Sequence, residues 1–325
     1  MIVTQTPLRL SFFGGGTDFP DYYRLDGGAV LTTAIDKYVY VIVKERFDDD
    51  IYINYSIKEI VQSVDAIRHD LVREAMRITR VDRGIEITTL ADVPSTGTGL
   101  GSSAAVTVGL LHALHTYCGR LVDARTLAEQ ACRIELEILD RPIGKQDQYI
   151  AAFGGLRAID FRPDDAIDVE RVQASPATTR RLQERLQVFF TGRTRSAAAI
   201  LNHQQQRIEQ SRTDLDRLKA CAHEARHLLA CGRLDEFGQL LDTAWHHKKS
   251  LAEGVSDAAI DELYAQARDA GAVGGKIAGA GGGGFLVFYV PPSRQDDVRR
   301  ALAPLRELPV AFDPGGARVV FNIHR

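Results

Sequence analysis

The sequence lacks long apolar runs, a leader pattern and paired cysteines. No stretch approaches the roughly 18 consecutive apolar residues of a membrane span, and the start MIVTQTPLRL has no basic segment followed by a long apolar one. The four cysteines occur singly, without a C-x-x-C pair, which disfavours zinc and redox motifs. We therefore expect a soluble, cytoplasmic protein whose thiols are reduced.

An excess of positive charge is also lacking. The chain has 40 Lys and Arg against 43 Asp and Glu, a formal net charge of -3. Such a chain has no basic field to attract nucleic acid or an anionic membrane surface. We expect no nucleic-acid or membrane partner and a small-molecule ligand, held by local groups if it is anionic. The sequence does not indicate an oligomeric state.

The distribution of patterns predicts an α+β protein with two domains. Short β-branched and aromatic runs separated by turn residues predict strands over most of residues 1–60. Helical spacing follows the Gly/Ser stretch at 94–104, and a second helix is predicted at about 123–139. Residues 198–270 are helical in pattern. A polar, proline-containing segment near 163–177 divides the chain into predicted domains of 1–175 and 176–325.

The glycine- and serine-rich stretch at Pro94–Ala104 lies between a predicted strand and a predicted apolar helix. Glycines let the backbone approach a polyanion, and amides at a helix N-terminus point their positive ends at phosphate oxygens. No lysine follows these glycines, which excludes the G-x-x-x-x-G-K-[ST] loop. A flexible turn with a good N-cap is the structural alternative to phosphate binding. A dinucleotide oxidoreductase is disfavoured because no G-x-G-x-x-G motif opens an early strand-helix unit.

Two further glycine stretches border strands. Four consecutive glycines at 281–284 lead directly into GFLVFYV, which favours a fixed turn over a linker. Near the N-terminus, Arg9 lies in an apolar strand that ends in Gly14–Gly16 and Asp18. An arginine in such a strand is costly unless it meets an anion or a carboxylate, so a ligand and a structural salt bridge are the alternatives.

Carboxylates gather at the end of the second predicted helix. Glu135 and Glu137 precede a loop that carries Asp147. Divalent cations prefer hard oxygen ligands, and a substrate hydroxyl needs a nearby carboxylate if a proton is to be removed. A solvated, charged helix end is the structural alternative.

Taken together and in this order, these stretches resemble the GHMP kinases, named for galactokinase, homoserine kinase, mevalonate kinase and phosphomevalonate kinase. The resemblance covers nearly the whole chain. It implies an N-terminal domain with a left-handed βαβ crossover, a ferredoxin-like C-terminal domain and an active site between them. It also implies an enzyme, an ATP-dependent kinase that uses Mg²⁺ and phosphorylates an alcohol group of a small molecule.

The resemblance implies roles for individual residues. Asp147 is the catalytic aspartate, and Arg9 lies near the transferring phosphate. Ser103, with Ser102 as the alternative, and Glu135, with Glu137 as the second choice, bind the metal. The phosphate loop, which has one residue more than is usual between Pro94 and Gly99, contributes the following nucleotide-binding residues: Pro94, Gly97, Gly99, Leu100, Gly101, Ser102, Ser103 and Ala104.

Within the family, the opening PLRLSFFGGGTD is similar to a branch of bacterial kinases that phosphorylate D-glycero-D-manno-heptose 7-phosphate at the anomeric hydroxyl. Gly15 and Gly16 replace the Glu-His of galactokinase, which argues against galactose. The implied substrate-binding residues are Gly14, Gly15, Gly16, Thr17, Asp18, Gly281, Gly282, Arg193 and Arg195. Arg193 and Arg195 are the predicted ligands of a phosphate on the sugar. An L-fucose or other free-sugar kinase and a non-catalytic nucleotide-binding relative are the alternatives.

Overall fold

The computed structural model describes residues 1–94, 97–194 and 197–323. Within these ranges the chain forms twelve strands and eleven α-helices. The strands are β1 (Ile2–Phe13), β2 (Gly28–Glu45), β3 (Ile51–Asn54), β4 (Lys58–Val61), β5 (Ile85–Ala91), β6 (Leu156–Phe161), β7 (Ile167–Arg171), β8 (Leu186–Phe190), β9 (Gly274–Ile277), β10 (Phe285–Tyr289), β11 (Arg306–Glu307) and β12 (Arg318–Asn322).

The α-helices are α1 (Pro20–Asp26), α2 (Asp70–Thr79), α3 (Ser102–Tyr117), α4 (Ala124–Cys132), α5 (Gln146–Phe153), α6 (Pro176–Gln183), α7 (Ala197–Gln206), α8 (Arg212–Ala230), α9 (Leu234–Ser250), α10 (Ala258–Asp269) and α11 (Gln295–Ala301). A π-helical segment, Arg133–Ile138, continues α4, and two short 3₁₀ helices occur at Val64–Ala66 and Pro292–Arg294. No helix in the part of the chain that the structure describes has both the length and the apolar content to span a membrane.

The first sheet contains eight strands in the order β12-β1-β2-β5-β3-β4, with β6 added beside β2 and β7 beside β6. The 18-residue strand β2 organises this sheet because it pairs with β1 along most of its length. Its first part also pairs with β6, and its second part pairs with β5. Strands β3 and β5 are parallel and are connected through β4 and α2.

The second sheet contains four strands in the order β11-β8-β10-β9, all antiparallel. Helices lie between β8 and β9 and between β10 and β11, so the unit is βαββαβ, with the order expected of a ferredoxin-like domain. The chain then returns to the first sheet, where β12 pairs with β1. The single domain boundary near residue 175 stays a prediction.

Helix α3 is buried on most of its surface and packs against β1 and β2. It lacks the polar face of a surface helix, and Ala105, Val108 and Leu111 are each fully buried. Burying such side chains stabilises the fold by about 1.5–3 kcal/mol for each large one. This packing fixes the N-terminus of α3, where the glycine-rich stretch ends.

Aromatic contacts join the first sheet to α9. The Phe237 ring of α9 lies 5.6 Å from the Phe12 ring and 5.1 Å from the Phe13 ring, both in edge-to-face geometry. All three side chains are almost completely buried. The end of β1 is therefore held against the helix that carries Lys248.

A close backbone approach fixes the end of α5 against the segment before β12. Gly154 has a φ of +62°, and a Cβ atom there would lie 1.7 Å from the carbonyl oxygen of Gly315. We expect Gly154→Ala to lower the free energy of unfolding by more than about 2 kcal/mol, because the two segments must separate.

Gly119→Ala is the matched control. Gly119 has a similar φ of +69°, but nothing lies within 4 Å of the Cβ position. Only backbone strain, about 1 kcal/mol, is expected there. Urea titrations of both variants measure the difference, and equal losses would contradict the role given to the Gly154–Gly315 contact.

Candidate active site

A cleft of about 340 Å³ lies where the two halves of the fold meet. The C-terminal part of β1, the N-terminus of α3 and the start of α5 form one side. Helices α7 and α9 and strand β9 with the following loop form the other. The cleft therefore collects charged side chains from segments that are distant in sequence.

The described part of the phosphate loop, residues 97–104, leads into α3. Gly97, Gly99 and Gly101 have φ values of +69°, +75° and +79°, in the left-handed region that glycine adopts readily. Gly101 is the N-cap residue of α3, and the first residues of the helix line the cleft. The free amides at this helix end suit an anion.

The phosphate loop packs against the glycine loop, residues 278–284, of the second sheet. A Cβ atom at Gly99 would lie 2.3 Å from the carbonyl oxygen of Ala278, and one at Gly279 would lie 2.6 Å from the Gly99 Cα atom. A Cβ atom at Gly284 would lie 2.4 Å from the Thr98 carbonyl oxygen. Glycine is required here because the two backbones touch.

Arg9 connects β1, the phosphate loop and α5. Its Nε and Nη2 atoms donate to the two carboxylate oxygens of Asp147, each at 2.7 Å, and Nη1 donates to the carbonyl oxygen of Gly99. The Arg9 backbone amide donates to the Leu100 carbonyl oxygen at 3.0 Å. The Arg9 side chain is 6% exposed and that of Asp147 is 25% exposed, so the carboxylate is the partner that faces the open cleft.

Ser103 and Glu135 form a second polar group at the same helix end. The Ser103 hydroxyl donates to the Glu135 carboxylate, which also accepts from Gln148 Nε2 at 3.1 Å. Arg141 donates to the Ser103 hydroxyl at 2.7 Å and to Glu135 at 3.2 Å. Burial raises the pKa of Glu135, and the hydrogen bond from Ser103 and the charge of Arg141 oppose this shift.

The π-helical turn helps to place Glu135. In Arg133–Ile138 the backbone is wider than in an α-helix, and the Leu139 amide donates to the Ile134 carbonyl oxygen at 3.0 Å, five residues back. Glu135 is fully buried and lines the cleft, whereas Glu137 is exposed and does not. Of the two glutamates considered in the sequence, Glu135 is therefore the one placed beside Ser103.

Asp18 lies in the turn after β1 and lines the same cleft. It is 2% exposed, and its carboxylate accepts from the Gly16 amide at 3.0 Å and from the Gln146 side chain at 3.1 Å. Burial raises the pKa of Asp18, and the charge of Asp147 adds to the shift, while the amides of Gly16 and Gln146 lower it. The Ser11 hydroxyl donates to Gln146 at 2.7 Å and so orients it.

The structure brings most of the predicted residues together. Those that line the cleft are Arg9, Gly15, Gly16, Asp18, Gly97, Gly99, Gly101, Ser102, Ser103, Ala104, Glu135 and Asp147. These come from β1, the turn after it, the phosphate loop, α5 and the π-helical turn.

Some predicted residues do not line the cleft. Leu100 is buried in the core, Pro94 is exposed, and Gly14 and Thr17 build the turn after β1 by contacting Ala29. Gly281 and Gly282 pack on Val255 instead, because the glycine loop turns away after Ala280. Arg193 donates to Asp257 at 3.1 Å, with its side chain 49% exposed. Arg195 lies outside the described residues.

Several charged or polar residues of the cleft were given no role in the sequence analysis, among them Arg141, Gln146, Lys248 and Lys276. Lys276 lies in an apolar strand, which is the pattern that identified Arg9. The same pattern could therefore have identified Lys276 as a site residue. Lys248 lies in the polar last turn of α9, where composition gives no signal.

These features define a phosphotransferase with a small-molecule acceptor. Two family models match the chain: the GHMP kinases N terminal domain over residues 60–155 and the GHMP kinases C terminal domain over residues 218–305. Together they cover more than half of the sequence. The chain belongs to the GHMP kinases, which use ATP as the phosphate donor.

The similarity to individual proteins extends over nearly the full length of this chain. The chain is 31% identical to a D-glycero-alpha-D-manno-heptose 7-phosphate kinase of Campylobacter jejuni, over 93% of each chain. A crystal structure of a D-glycero-D-manno-heptose 1-phosphate kinase from Bacteroides thetaiotaomicron superposes with a TM-score of 0.82 at 28% identity, covering all of both chains. The chain is 26% identical to an L-fucokinase/L-fucose-1-P guanylyltransferase of Bacteroides fragilis, over 91% of this chain and 35% of the other. The predicted two-domain GHMP kinase fold is confirmed.

The close contact between the phosphate loop and the glycine loop should be needed for ATP binding. Gly99→Ala places a methyl group against the Ala278 carbonyl and must separate the loops. We expect KM for ATP to rise by more than roughly 10-fold, because small displacements of a binding loop are costly. Gly192→Ala is the control, since Gly192 has a similar φ of +74° but open space at its Cβ position. Steady-state kinetics with varied ATP measure both, and an unchanged KM in the Gly99 variant would contradict the prediction.

Proposed function

We propose that this protein is an ATP-dependent kinase for D-glycero-D-manno-heptose 7-phosphate and that it transfers the γ-phosphate to the anomeric hydroxyl. The observation that carries the choice of substrate is the similarity to the Campylobacter jejuni heptose 7-phosphate kinase over nearly the whole of both chains. Gly15 and Gly16, which line the cleft, add support because they stand where galactokinase has Glu-His and so lack two groups that contact galactose.

Asp147 is proposed to accept or orient the proton of the attacking hydroxyl. Its carboxylate faces the cleft, and the bidentate contact with Arg9 fixes its orientation. Arg9 touches the phosphate loop at Gly99 and is therefore proposed to lie beside the transferring phosphoryl group and stabilise its charge. Phosphoryl transfer depends mainly on positioning and electrostatic stabilisation, which these residues provide.

Mg²⁺ fits the donor set formed by Ser103 and Glu135. Mg²⁺ is usually held by one or two protein oxygen ligands together with water and substrate phosphates, so a hydroxyl and a carboxylate suffice. Glu135 is a fully buried carboxylate that needs positive charge nearby, and Arg141 supplies it in this structure. The cation would neutralise charge on the β- and γ-phosphates of ATP. The amides at the start of α3 are proposed to bind the same phosphates.

An L-fucose kinase is the second candidate, supported by the match to the Bacteroides fragilis protein. The experiment is an ADP-release assay with heptose 7-phosphate, heptose 1-phosphate, unphosphorylated heptose, L-fucose, galactose and mannose. The proposal expects the highest kcat/KM with heptose 7-phosphate and no turnover with the 1-phosphate, whose anomeric oxygen is already substituted. Preference for L-fucose would replace the proposed substrate, and no sugar-dependent ADP release would favour a non-catalytic relative.

Asp147→Asn tests the catalytic assignment. The amide has the same shape but cannot accept a proton, and it leaves one donor of Arg9 without an acceptor. We expect kcat to fall by about 10²- to 10⁴-fold, with the Kd for ATP nearly unchanged. Rapid-quench kinetics and ATP binding by calorimetry measure the two quantities. Turnover near the wild-type rate would remove Asp147 from the mechanism.

Ser103→Ala tests the metal assignment. Removing the hydroxyl deletes one proposed cation ligand, so the Mg²⁺ concentration for half-maximal rate should rise by roughly 10-fold or more. Ser102→Ala is the matched control, because within the described part of the chain the buried Ser102 hydroxyl has no hydrogen-bond partner. A Mg²⁺ dependence that changes in the Ser102 variant and not in the Ser103 variant would transfer the role to Ser102.

A further inference from the structure

Two buried lysines reach the cleft from the C-terminal half of the chain. Lys248 of α9 is 4% exposed and Lys276 of β9 is 6% exposed, and both line the cleft. The Lys248 ammonium donates to the Gly15 carbonyl oxygen at 3.2 Å, and the Lys276 ammonium donates to the Phe12 carbonyl oxygen at 3.1 Å. Each ammonium has three hydrogens to donate, so one contact to a carbonyl leaves most of its capacity unused.

Neither ammonium forms a salt bridge with a residue that the structure describes, and the Asp18 carboxylate, whose charge acts on both, already accepts from the Gly16 amide and from Gln146. The other cations of the cleft are paired: Arg9 with Asp147, and Arg141 with Glu135 and Asp70. Even the neighbouring surface residue Lys249 is paired, with Asp261 at 3.0 Å. Two buried ammonium groups that share the charge of one carboxylate leave an excess of buried positive charge, which is costly, so the pair points to an anion supplied from outside.

The lysines contact the part of the chain that leads to Asp18, the residue expected to contact the sugar. Their carbonyl partners, Phe12 and Gly15, belong to the end of β1 and the turn that leads to Asp18. Arg9, in contrast, contacts the phosphate loop at Gly99. Arg9 is thus the positive group beside the phosphate loop, and the two lysines are the positive groups beside the turn that leads to Asp18.

The electrostatics agree with this location. The pKa of Lys248 is lowered to about 8: burial is the main cause, the Asp18 charge opposes the shift and the Arg9 charge adds to it. Burial also holds the pKa of Lys276 well below its usual range, and the charges of Lys248 and Arg9 add to this while Asp18 opposes it. An anion between the two ammonium groups would restore their protonation.

We propose that Lys248 and Lys276 together bind the phosphate group that the acceptor sugar already carries. This inference rests on the proposed function, in which the acceptor is a sugar phosphate. It replaces Arg193, which lies outside the cleft lining and is paired with Asp257, as the ligand of that phosphate. The lysines thereby select phosphorylated over unphosphorylated acceptors.

The test is a thermodynamic cycle in which the lysine charge and the substrate phosphate are removed singly and together. The kcat/KM values for heptose 7-phosphate and for unphosphorylated heptose are measured for the wild type, Lys248→Met, Lys276→Met and the control Lys249→Met. Each buried-lysine variant should lose roughly 10- to 100-fold in preference for the phosphorylated sugar, because a charge-assisted contact is lost. The values for unphosphorylated heptose should change little, and Lys249→Met should behave as the wild type.

Several outcomes would overturn the subsite. Equal losses of kcat/KM with both sugars would indicate that the lysines contact the transferring phosphoryl group. If the preference for the phosphorylated sugar is lost in Arg193→Ala instead, that arginine is the ligand of the sugar phosphate. In both cases the wild type still prefers the sugar phosphate, so the proposed function survives. A wild type that turns over unphosphorylated heptose as well as its phosphate would contradict both. Thermal melting separates a structural role: we expect Tm to change little in either variant, because losing one hydrogen bond to a carbonyl is offset by removing a buried positive charge, and a large fall in Tm would instead assign the lysines to holding the fold together.

A second measurement needs no variant. At pH 8 the sugar phosphate is already dianionic, while Lys248, with a pKa of about 8, is only partly protonated. Binding of heptose 7-phosphate should therefore take up on the order of half a proton from Lys248 alone, and unphosphorylated heptose should take up none. Calorimetry in buffers of different ionisation enthalpy measures the uptake. No difference between the two sugars would contradict the proposal.

Discussion

The forked contact between Arg9 and Asp147 is the interaction on which the rest of the cleft depends. One guanidinium bridges β1, α5 and the phosphate loop, and each of its three donating atoms has an acceptor. Removing one partner of such a buried pair commonly costs about 3–5 kcal/mol, because the other charge is left uncompensated. The pair therefore fixes the position of Asp147 and of the phosphate loop through the same residue.

The remaining charges are arranged around this pair in a way that suits phosphoryl transfer. Ser103 and Glu135 lie at the N-terminus of α3, where helix amides already favour anions. Asp18 lies in the turn after β1, and the two lysines contact this turn and the end of β1. The first sheet supplies one side of this arrangement and the second sheet the other. The contacts between Gly99 and Gly279 and between Phe12 and Phe237 set the distance between them.

The sequence predicted the parts of the site that depend on local composition. An arginine in an apolar strand identified Arg9, and glycines before an apolar helix identified the phosphate loop. The resemblance to GHMP kinases then selected Ser103, Glu135 and Asp147, all of which line the cleft.

What the sequence could not predict depends on packing between distant segments. Lys248 reaches the cleft because aromatic contacts hold α9 against β1, and the local composition near residue 248 does not indicate this contact. The wide turn at Arg133–Ile138 was predicted as ordinary helix, since π-helical hydrogen bonds have no compositional signature. Gly281 and Gly282 were placed at the substrate, but contacts with Val255 direct them away from it.

The proposed reaction places a second phosphate on the anomeric hydroxyl of a heptose that already carries one. ³¹P and ¹H NMR of the product formed from ATP and D-glycero-D-manno-heptose 7-phosphate tests this. We expect a second phosphate resonance that is coupled to the anomeric proton, with the original phosphate unchanged. A new phosphate coupled to any other sugar proton, or inorganic phosphate alone, would contradict it.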